Sequence, residues 1–239
     1  RRYSSAASDV YKRQQIWVAK GSLINEDLKR PQEDVNDYKI SESLVQAKTG
    51  INSVDDEINN LYENGYMHNH MRMYVASIAT NIAKSYWKTP AKWMYYHLLD
   101  GDWASNALSW QWVAGSNSNK KYYANQDNIN KYFESNQKNT FLDNSYEFIS
   151  SMNIPDAVSE KIDLKLSSDF QNNDEIKLDN SLPTLIYNYY NIDPNWRKDE
   201  KVNRVLIFEP RVFAEYPVSQ KCVDFSLNLS KNIKDIQIF

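Results

Sequence analysis

Apolar residues recur at steps of three and four through much of segment 15–153, and this periodicity limits the segment to helices. The clearest stripe consists of Met71, Tyr74, Val75, Ile78, Ala79, Ile82 and Tyr86. Side chains at these steps share one face of an α-helix, so the stripe predicts a helix that packs on a core and ends near Trp87. We therefore predict an all-α domain over residues 14–153.

Cap and turn residues divide this helical segment. The predicted boundaries are a start at Ser53 and Asp56 for a helix through Leu61, an end at Asn64 and Gly65, a start at Thr89 and Pro90, and a further helix over 102–113.

The pattern changes after residue 153. Residues 154–183 contain a polar, acidic stretch, which predicts a linker or mobile loop. Apolar runs then predict strand, strand, helix and strand at 184–190, 202–208, 217–232 and 235–239. This order implies a crossover onto a mainly parallel sheet. The expected fold class is mainly α, with a partial α/β, Rossmann-like unit over 184–239.

Both ends of the chain are expected to be cut. Residues 1–13 lack periodicity and resemble translated sequencing-adapter text, so we exclude them from fold prediction. At the other end, the chain stops inside an apolar, strand-like run.

Composition favours a cytoplasmic protein. No apolar run approaches the roughly 20 residues that a membrane span needs, and no secretory signal is visible. The single cysteine, Cys222, fits a reducing compartment, and we interpret it as a packed helix residue. We expect a monomer. Aromatic residues make up 13% of the chain and concentrate between Tyr62 and Tyr132, where chemistry is to be sought.

Two strings carry the candidate chemistry, GYMHNHMRM at residues 65–73 and DGDWASNALSWQW at residues 100–112. In the first string, Asn69 and Arg72 are three residues apart, so they share one face of a helix. An amide and a planar guanidinium at that spacing suit phosphate or carboxylate groups. We also expect Arg72 to pair with Asp100 of the second string.

The second string places three more such side chains on one helical face. Asp102 and Asn106 are four residues apart, and Trp110 follows after four more. A flavin needs an acceptor for its ring N–H groups, control of the charge beside N5 and an aromatic electron donor. These residue types supply all three, so the face is suited to a planar polar ring.

Both strings resemble the FAD-binding motifs of the cryptochrome/photolyase family, and the similarity extends over about residues 15–133. In that family, an Asp-Gly-Asp turn and a facing helix hold a U-shaped FAD. The resemblance assigns FAD-binding roles to Asn69, Arg72, Asp100, Gly101 and Asp102. It also places Asn106 beside flavin N5.

The resemblance further implies a photoreduction chain of tryptophans. Trp110 matches the donor nearest the flavin, and Trp87 matches the next donor. The family's third tryptophan would fall near Asp34, where this sequence has none. Either Trp17 or a tyrosine takes that role, or photoreduction is weakened.

The family's lesion pocket corresponds to Asn69, Met73 and Trp112, where a pyrimidine dimer flipped out of DNA would stack and form hydrogen bonds. In photolyases, reduced flavin excited by blue light gives an electron to the dimer, and the cyclobutane opens. The resemblance therefore implies a photolyase-like carbon–carbon lyase acting on ultraviolet-damaged DNA.

A cryptochrome-like blue-light photoreceptor without repair activity is the alternative. The net charge of −3 argues against indiscriminate binding of nucleic acid, although a local basic rim would leave DNA binding open. Where the family has a segment rich in Arg and Asn-Pro, this chain retains only Lys120, Lys121 and Lys131 as phosphate candidates. Flavin-contacting residues expected upstream of Gln15 are also missing, so a third alternative is a chain that does not hold FAD.

Residues 184–239 more weakly resemble the first strands of the family's antenna domain, which usually precedes the FAD domain. They lack a GxGxxG loop, so no separate dinucleotide site is predicted, and the antenna chromophore stays unassigned.

His68 and His70 invite a metal-site interpretation. Residues two apart point to different faces of a helix, and no cysteine or third histidine completes a ligand set, so we predict no metal. We assign His97, Trp93 and Trp103 to core packing.

Overall fold

The computed structural model describes residues 25–170 and 175–239. The protein is mainly α-helical with a small parallel α/β unit, which confirms the predicted fold class. The chain divides into two compact units, Arg1–Lys165 and Leu166–Phe239. Within the described ranges, no helix combines the length and the apolar character that crossing a membrane requires.

The first unit is helical, apart from one short pair of strands. Its described elements are β1 (Ile40–Ser41), α1 (Glu42–Val45), α2 (Asn52–Asn64), α3 (Asn69–Ser77), a π-helical turn (Ile78–Ile82), α4 (Lys88–His97), α5 (Trp103–Ala114), α6 (Gln126–Tyr132), α7 (Tyr146–Ser151), a 3₁₀ turn (Asp156–Val158) and β2 (Lys161–Ile162).

Helix α2 ends as predicted but begins differently. Gly65 follows its last residue with φ of 69°, a left-handed conformation that glycine adopts without a steric penalty. The predicted capping pair of Ser53 and Asp56 is wrong, because Ile51 is the N-cap and both residues lie inside the helix. Asp55 instead binds the preceding turn, accepting hydrogen bonds from the backbone and hydroxyl of Thr49.

The apolar stripe after Gly65 forms a shorter helix than predicted. Helix α3 passes into the π-helical turn, which ends at Ile82, and Lys84 then has φ of 56°. The physical cause is a long-range contact: the buried side chain of Asn81 donates to the carbonyl oxygens of Val113 (2.9 Å) and Tyr122 (2.7 Å). Such contacts lie outside the reach of local periodicity.

Trp87 therefore lies after the break and forms the N-cap of α4. The prediction that Thr89 caps this helix and Pro90 opens its first turn is wrong by two residues, since the cap is Trp87 and α4 begins at Lys88. The Thr89 hydroxyl donates to the Tyr38 carbonyl oxygen (2.6 Å) instead.

Helix α5 follows the prediction closely. Asp102 is its N-cap and accepts a hydrogen bond from the backbone N–H of Ser105 (2.8 Å). Gly115, with φ of 86°, ends it. Trp93 of α4 and Trp110 of α5 are each 1% exposed, so their indoles form part of the core of this unit.

The pairing of β1 with β2 joins two segments of the first unit that are distant in sequence. Ile40 is opposite Ile162 and Ser41 is opposite Lys161 in an antiparallel register. Part of segment 154–183 is therefore ordered against the helical unit. The Lys161 ammonium donates to the Ala83 carbonyl oxygen (2.6 Å) just beyond the π-helical turn.

The second unit contains the predicted parallel sheet, in the order β3 (Thr184–Asn188), β4 (Asn203–Ile207), β5 (Ile236–Ile238). Two helices connect β4 to β5, namely α8 (Pro210–Glu215) and α9 (Gln220–Ser230). Only α9 was predicted. Cys222 is buried in α9, as expected.

Candidate functional site

A cavity of about 500 Å³ lies in the first unit between α3, the turn before α5, and α5 itself. Cavities that hold small molecules and cofactors measure about 300–1,000 Å³. Nine of the residues predicted to act line it: Asn69, Arg72, Met73, Asp100, Gly101, Asp102, Asn106, Trp110 and Trp112. The two sequence strings therefore line one cavity, whereas Trp87, the predicted second electron donor, does not line it.

Sequence reasoning missed six other wall residues: Tyr66, Ala76, Leu98, Ser105, Ser109 and Val113. Helical spacing was the available signal, because Ser105 is three residues after Asp102 and Ser109 is three after Asn106. Small side chains at these positions leave room between the helices. These small side chains lie on the cavity wall together with the polar residues of the two strings.

Arg72 and Asp100 form the predicted ion pair. One guanidinium nitrogen lies 2.9 Å from each carboxylate oxygen, and Nε donates to the Met67 carbonyl oxygen (2.8 Å). The guanidinium carbon also lies 5.6 Å from the centre of the Tyr66 ring, which is within cation–π range. Arg72 is thus held by three kinds of contact at the edge of the cavity.

Asn106 contributes an available acceptor. Its side-chain N–H donates to the Ala91 carbonyl oxygen (2.9 Å), which orients the amide. No described residue donates to Oδ1, so this oxygen is the part of the amide that is left for an occupant of the cavity.

Trp110 presents a buried donor without an acceptor. Its side chain is 1% exposed, and its indole N–H meets no hydrogen-bond acceptor in ranges 25–170 and 175–239. The indole of Trp87 donates to Asp27 (2.7 Å), whereas that of Trp93 donates to the Tyr62 hydroxyl (3.0 Å). Leaving a buried donor unpaired costs about 1–3 kcal/mol, so an occupant that carries an acceptor would relieve this cost.

Trp112 supplies an accessible aromatic surface. Its side chain is 42% exposed although it lines the cavity, and its ring lies 5.8 Å from that of Tyr122. Met73, also on the wall, offers a polarizable thioether. An exposed indole beside a thioether suits stacking against a flat ring.

The lysines considered as phosphate contacts do not line the cavity. Lys121 forms an ion pair with Asp34 and donates to the Glu33 carbonyl oxygen. Lys131 lies 5.8 Å from the centre of the Tyr132 ring. On the wall itself, the charge of Arg72 is balanced by Asp100, and Asp102 adds a second carboxylate.

Trp87 lies in the core rather than on the wall. It is fully buried, and its ring centre is 6.3 Å from that of Trp103, with the two planes 26° apart. Trp103 is 4% exposed, in agreement with its assignment to packing. Trp17, a candidate for the third donor, lies outside the described residues.

The rings of His68 and His70 stack on each other, with centres 5.4 Å apart and planes within 9°. The expectation that they point to different helix faces is wrong, because His68 is the N-cap of α3 and its Nδ1 accepts from the His70 backbone N–H (3.3 Å). Across the described residues, no three His, Cys, Asp or Glu side chains group so as to hold a metal ion.

Residues 11–174 match the family described as the FAD binding domain of DNA photolyase. The chain is also 41% identical over 81 residues to a deoxyribodipyrimidine photo-lyase from Agrobacterium fabrum, covering 34% of this chain and 17% of that protein. It is 34% identical over 88 residues to the Vibrio cholerae protein of the same name, covering 37% and 19%. It is 37% identical over 83 residues to cryptochrome-2 from Arabidopsis thaliana, which covers 35% of this chain and 13% of that protein. The matched segment is less than a fifth of each relative's length.

Proposed function

Because this chain belongs to the FAD-binding domain family of DNA photolyase, we propose that it binds FAD in the cavity and, in reduced form under blue light, repairs pyrimidine dimers in DNA. One observation carries the proposal. The two sequence strings, to which the family resemblance assigns flavin binding and the lesion pocket, line a single cavity. Bound FAD would supply light absorption and one-electron chemistry.

The wall residues fit a flavin in their chemistry. Asp102 brings a carboxylate to the wall. Among the described residues, the Asn106 Oδ1 has no donor and the buried Trp110 N–H has no acceptor. A flavin ring presents both donors and acceptors along its edge, so it complements this set. We assign Trp110 as the nearest electron donor, and Asn69, Arg72, Asp100 and Gly101 as further parts of the binding wall.

The substrate assignment rests on Trp112 and Met73. A pyrimidine dimer must leave the base stack to reach a site enclosed by protein, and the pocket must then replace the lost stacking. The exposed indole of Trp112 offers such a surface on the cavity wall. Asn69, on the same wall, would supply hydrogen bonds to the base edges.

A blue-light photoreceptor is the second candidate, and the distribution of charge favours it. Binding to DNA draws on free Lys and Arg around the site. Here Arg72 is paired with Asp100, and Lys121 is paired with Asp34. The same cavity and flavin would then trigger a change in conformation or partner without breaking a bond in DNA.

The first test is the visible absorption spectrum of the full chain after incubation with FAD, repeated after blue illumination with a reductant. Flavin bands that remain through gel filtration and then bleach would support the cofactor assignment. A chain that releases all FAD on gel filtration would contradict it.

The second test separates repair from sensing. The reduced, FAD-loaded chain is illuminated with an oligonucleotide that contains a cyclobutane thymine dimer, and restored thymine is measured. Repair by the unchanged chain that falls strongly in Trp112→Ala, but not in the core control Trp93→Phe, would support the lesion pocket. Absence of repair in a chain that bleaches normally would favour the photoreceptor.

A further inference from the structure

A line of aromatic rings runs from buried Trp87 to the surface of the first unit. The Trp87 ring centre is 5.8 Å from that of Tyr86, which is 5.3 Å from that of Tyr38. Trp87 is fully buried, whereas Tyr38 is 70% exposed. Both distances are within the range of packed aromatic pairs, about 4.5–7 Å, so the line has no gap.

Backbone hydrogen bonds fix the two tyrosines against each other. Segment 36–38 runs beside segment 84–86, with the Tyr86 N–H bonded to the Asp37 carbonyl oxygen (2.7 Å). The Thr89 hydroxyl donates to the Tyr38 carbonyl oxygen (2.6 Å). The backbone at Tyr38 is therefore held by the loop before α4 and by Thr89 of α4.

The carboxylate of Asp27 lies beside the two inner rings of this line, Trp87 and Tyr86. One oxygen accepts from the Trp87 indole N–H (2.7 Å) and lies 3.4 Å from the Tyr86 hydroxyl, while the other accepts from the Gln32 backbone N–H (2.9 Å). Burial, followed by the charge of Asp27, raises the pKa of Tyr86 to about 12, so its phenol keeps its proton at neutral pH. A base within hydrogen-bond reach can take that proton when the phenol is oxidised.

The Trp87 ring also packs against the ring of Trp103, which is buried. Trp103 is 4% exposed, and its ring contacts Tyr95, which is 1% exposed. A radical on either of these two rings would lie on a buried side chain. The line through Tyr86, by contrast, ends at the exposed ring of Tyr38.

We propose that Tyr86 and Tyr38 are the outer electron donors of the chain that begins at Trp110 and Trp87, with Asp27 accepting the proton of Tyr86. The inference rests on the proposed function, because FAD bound in the cavity would supply the one-electron oxidant, and on the assignment of Trp110 and Trp87 as the inner donors. It assigns the position for which the sequence left Trp17 or a tyrosine as alternatives.

Each step balances in electrons and protons. With FAD bound, Trp110 would give one electron to the flavin and would be refilled from Trp87, which would leave an indole radical cation at Trp87. Tyr86 then gives one electron to Trp87 and its phenolic proton to Asp27, and it becomes a neutral tyrosyl radical. Tyr38 next gives one electron to Tyr86, which recovers its proton from Asp27, while the proton of Tyr38 goes to water. A thiol in solution reduces the exposed Tyr38 radical by donating one electron and one proton.

The test locates the radical in the FAD-loaded full chain by transient absorption and electron paramagnetic resonance. We expect a tyrosyl radical in the unchanged chain and a tryptophan radical that recombines about tenfold faster in Tyr86→Phe. Asp27→Asn should slow tyrosyl formation and leave FAD affinity unchanged. Tyr132→Phe is the matched control, because Tyr132 is 51% exposed and stacks on His70. An unchanged tyrosyl signal in Tyr86→Phe, or its loss in Trp17→Phe instead, overturns the proposal.

A second arm needs no flavin. Ultraviolet photoionisation removes electrons from the tryptophan side chains of the FAD-free chain, and dissolved nitrous oxide captures the ejected electrons. The yield of tyrosyl radical is then measured. A lower yield in Tyr86→Phe than in Tyr132→Phe supports the route even where the chain fails to bind FAD, which would sink only the proposed function. Equal yields in the two variants overturn the route, whatever FAD does.

Discussion

One nitrogen of the Arg72 guanidinium bridges both carboxylate oxygens of Asp100, at 2.9 Å from each. This contact joins the first turn of α3 to the turn before α5, and these are the two segments that carry the sequence strings. Nε is bound to the Met67 carbonyl oxygen at the same time, and this second contact restricts the orientation of the guanidinium. The spacing between the two sides of the cavity therefore depends on a planar, multidentate cation.

Replacing Arg72 by Lys should weaken FAD binding about tenfold with little effect on folding. An ammonium retains the charge but cannot bind Met67 and Asp100 in the same planar geometry. The Asp100 side chain is 52% exposed, so we expect the change in the free energy of unfolding to be at most about 1 kcal/mol. FAD titration by fluorescence and urea unfolding measure the two effects. A Lys variant that binds FAD as tightly as the unchanged chain would contradict this role.

Trp110→Phe should slow photoreduction strongly while FAD stays bound. Phenylalanine fills most of the indole volume, but it is a much poorer electron donor. Trp93→Phe is the matched control, because Trp93 is equally buried and does not line the cavity. Flavin bleaching under constant blue light, compared at equal FAD occupancy, measures the effect. If the two variants bleach at the same rate, Trp110 is not the nearest donor.

Gly101→Ala should destabilise the fold and weaken FAD binding together. A Cβ there would lie 3.0 Å from the Leu98 carbonyl oxygen and 3.2 Å from the Tyr95 ring, so these neighbours of the turn that carries the cavity's carboxylates must give by a few tenths of an ångström. Overpacking of this kind costs about 1–3 kcal/mol. At Gly50 an added Cβ meets nothing within 4 Å, so Gly50→Ala reports only the cost of its positive φ. Thermal unfolding and FAD titration of both variants test this; a Gly101→Ala chain that binds FAD normally would contradict it.

Lys161 should make stability rise with pH in the alkaline range. Burial lowers the pKa of its ammonium from 10.5 to about 8, with Asp37 opposing the effect. Between pH 8 and 10.5 the unfolded state binds more protons than the folded state, so the free energy of unfolding attributable to Lys161 increases with pH. Solvent screening of this partly exposed group limits the rise to about 1 kcal/mol.

Lys161→Met should therefore remove an upward slope of stability with pH, measured by urea unfolding at several pH values. Lys39→Met is the contrast. A hydrogen bond and charge from Asp163 raise the pKa of Lys39, so its contribution is present below its ordinary pKa and is lost at higher pH. The two variants are expected to differ in the sign of their effect, and equal signs would refute the assignment for Lys161.

Much of the candidate site was predictable from sequence, because its geometry is local. Residues three or four apart on a helix share a face whatever surrounds them, which is why Asn69 with Arg72, and Asp102 with Asn106 and Trp110, line one cavity. The glycine that ends α2 and the aspartate that caps α5 are equally local signals. Arg72 also pairs with Asp100, as expected, although the rest of α3, the π-helical turn and α4 lie between them in sequence.

The sequence by itself thus determined most of the helical segments, the parallel sheet and nine of the fifteen residues of the cavity wall, since short-range periodicity and capping specify them. Only the tertiary structure decided where the stripe after Gly65 breaks, because Asn81 bonds to Val113 and Tyr122, which are distant in sequence. That break removes Trp87 from the helix and brings it beside Asp27 and Tyr86. The route from the core to the surface depends on contacts between distant segments, and no local pattern encodes such contacts.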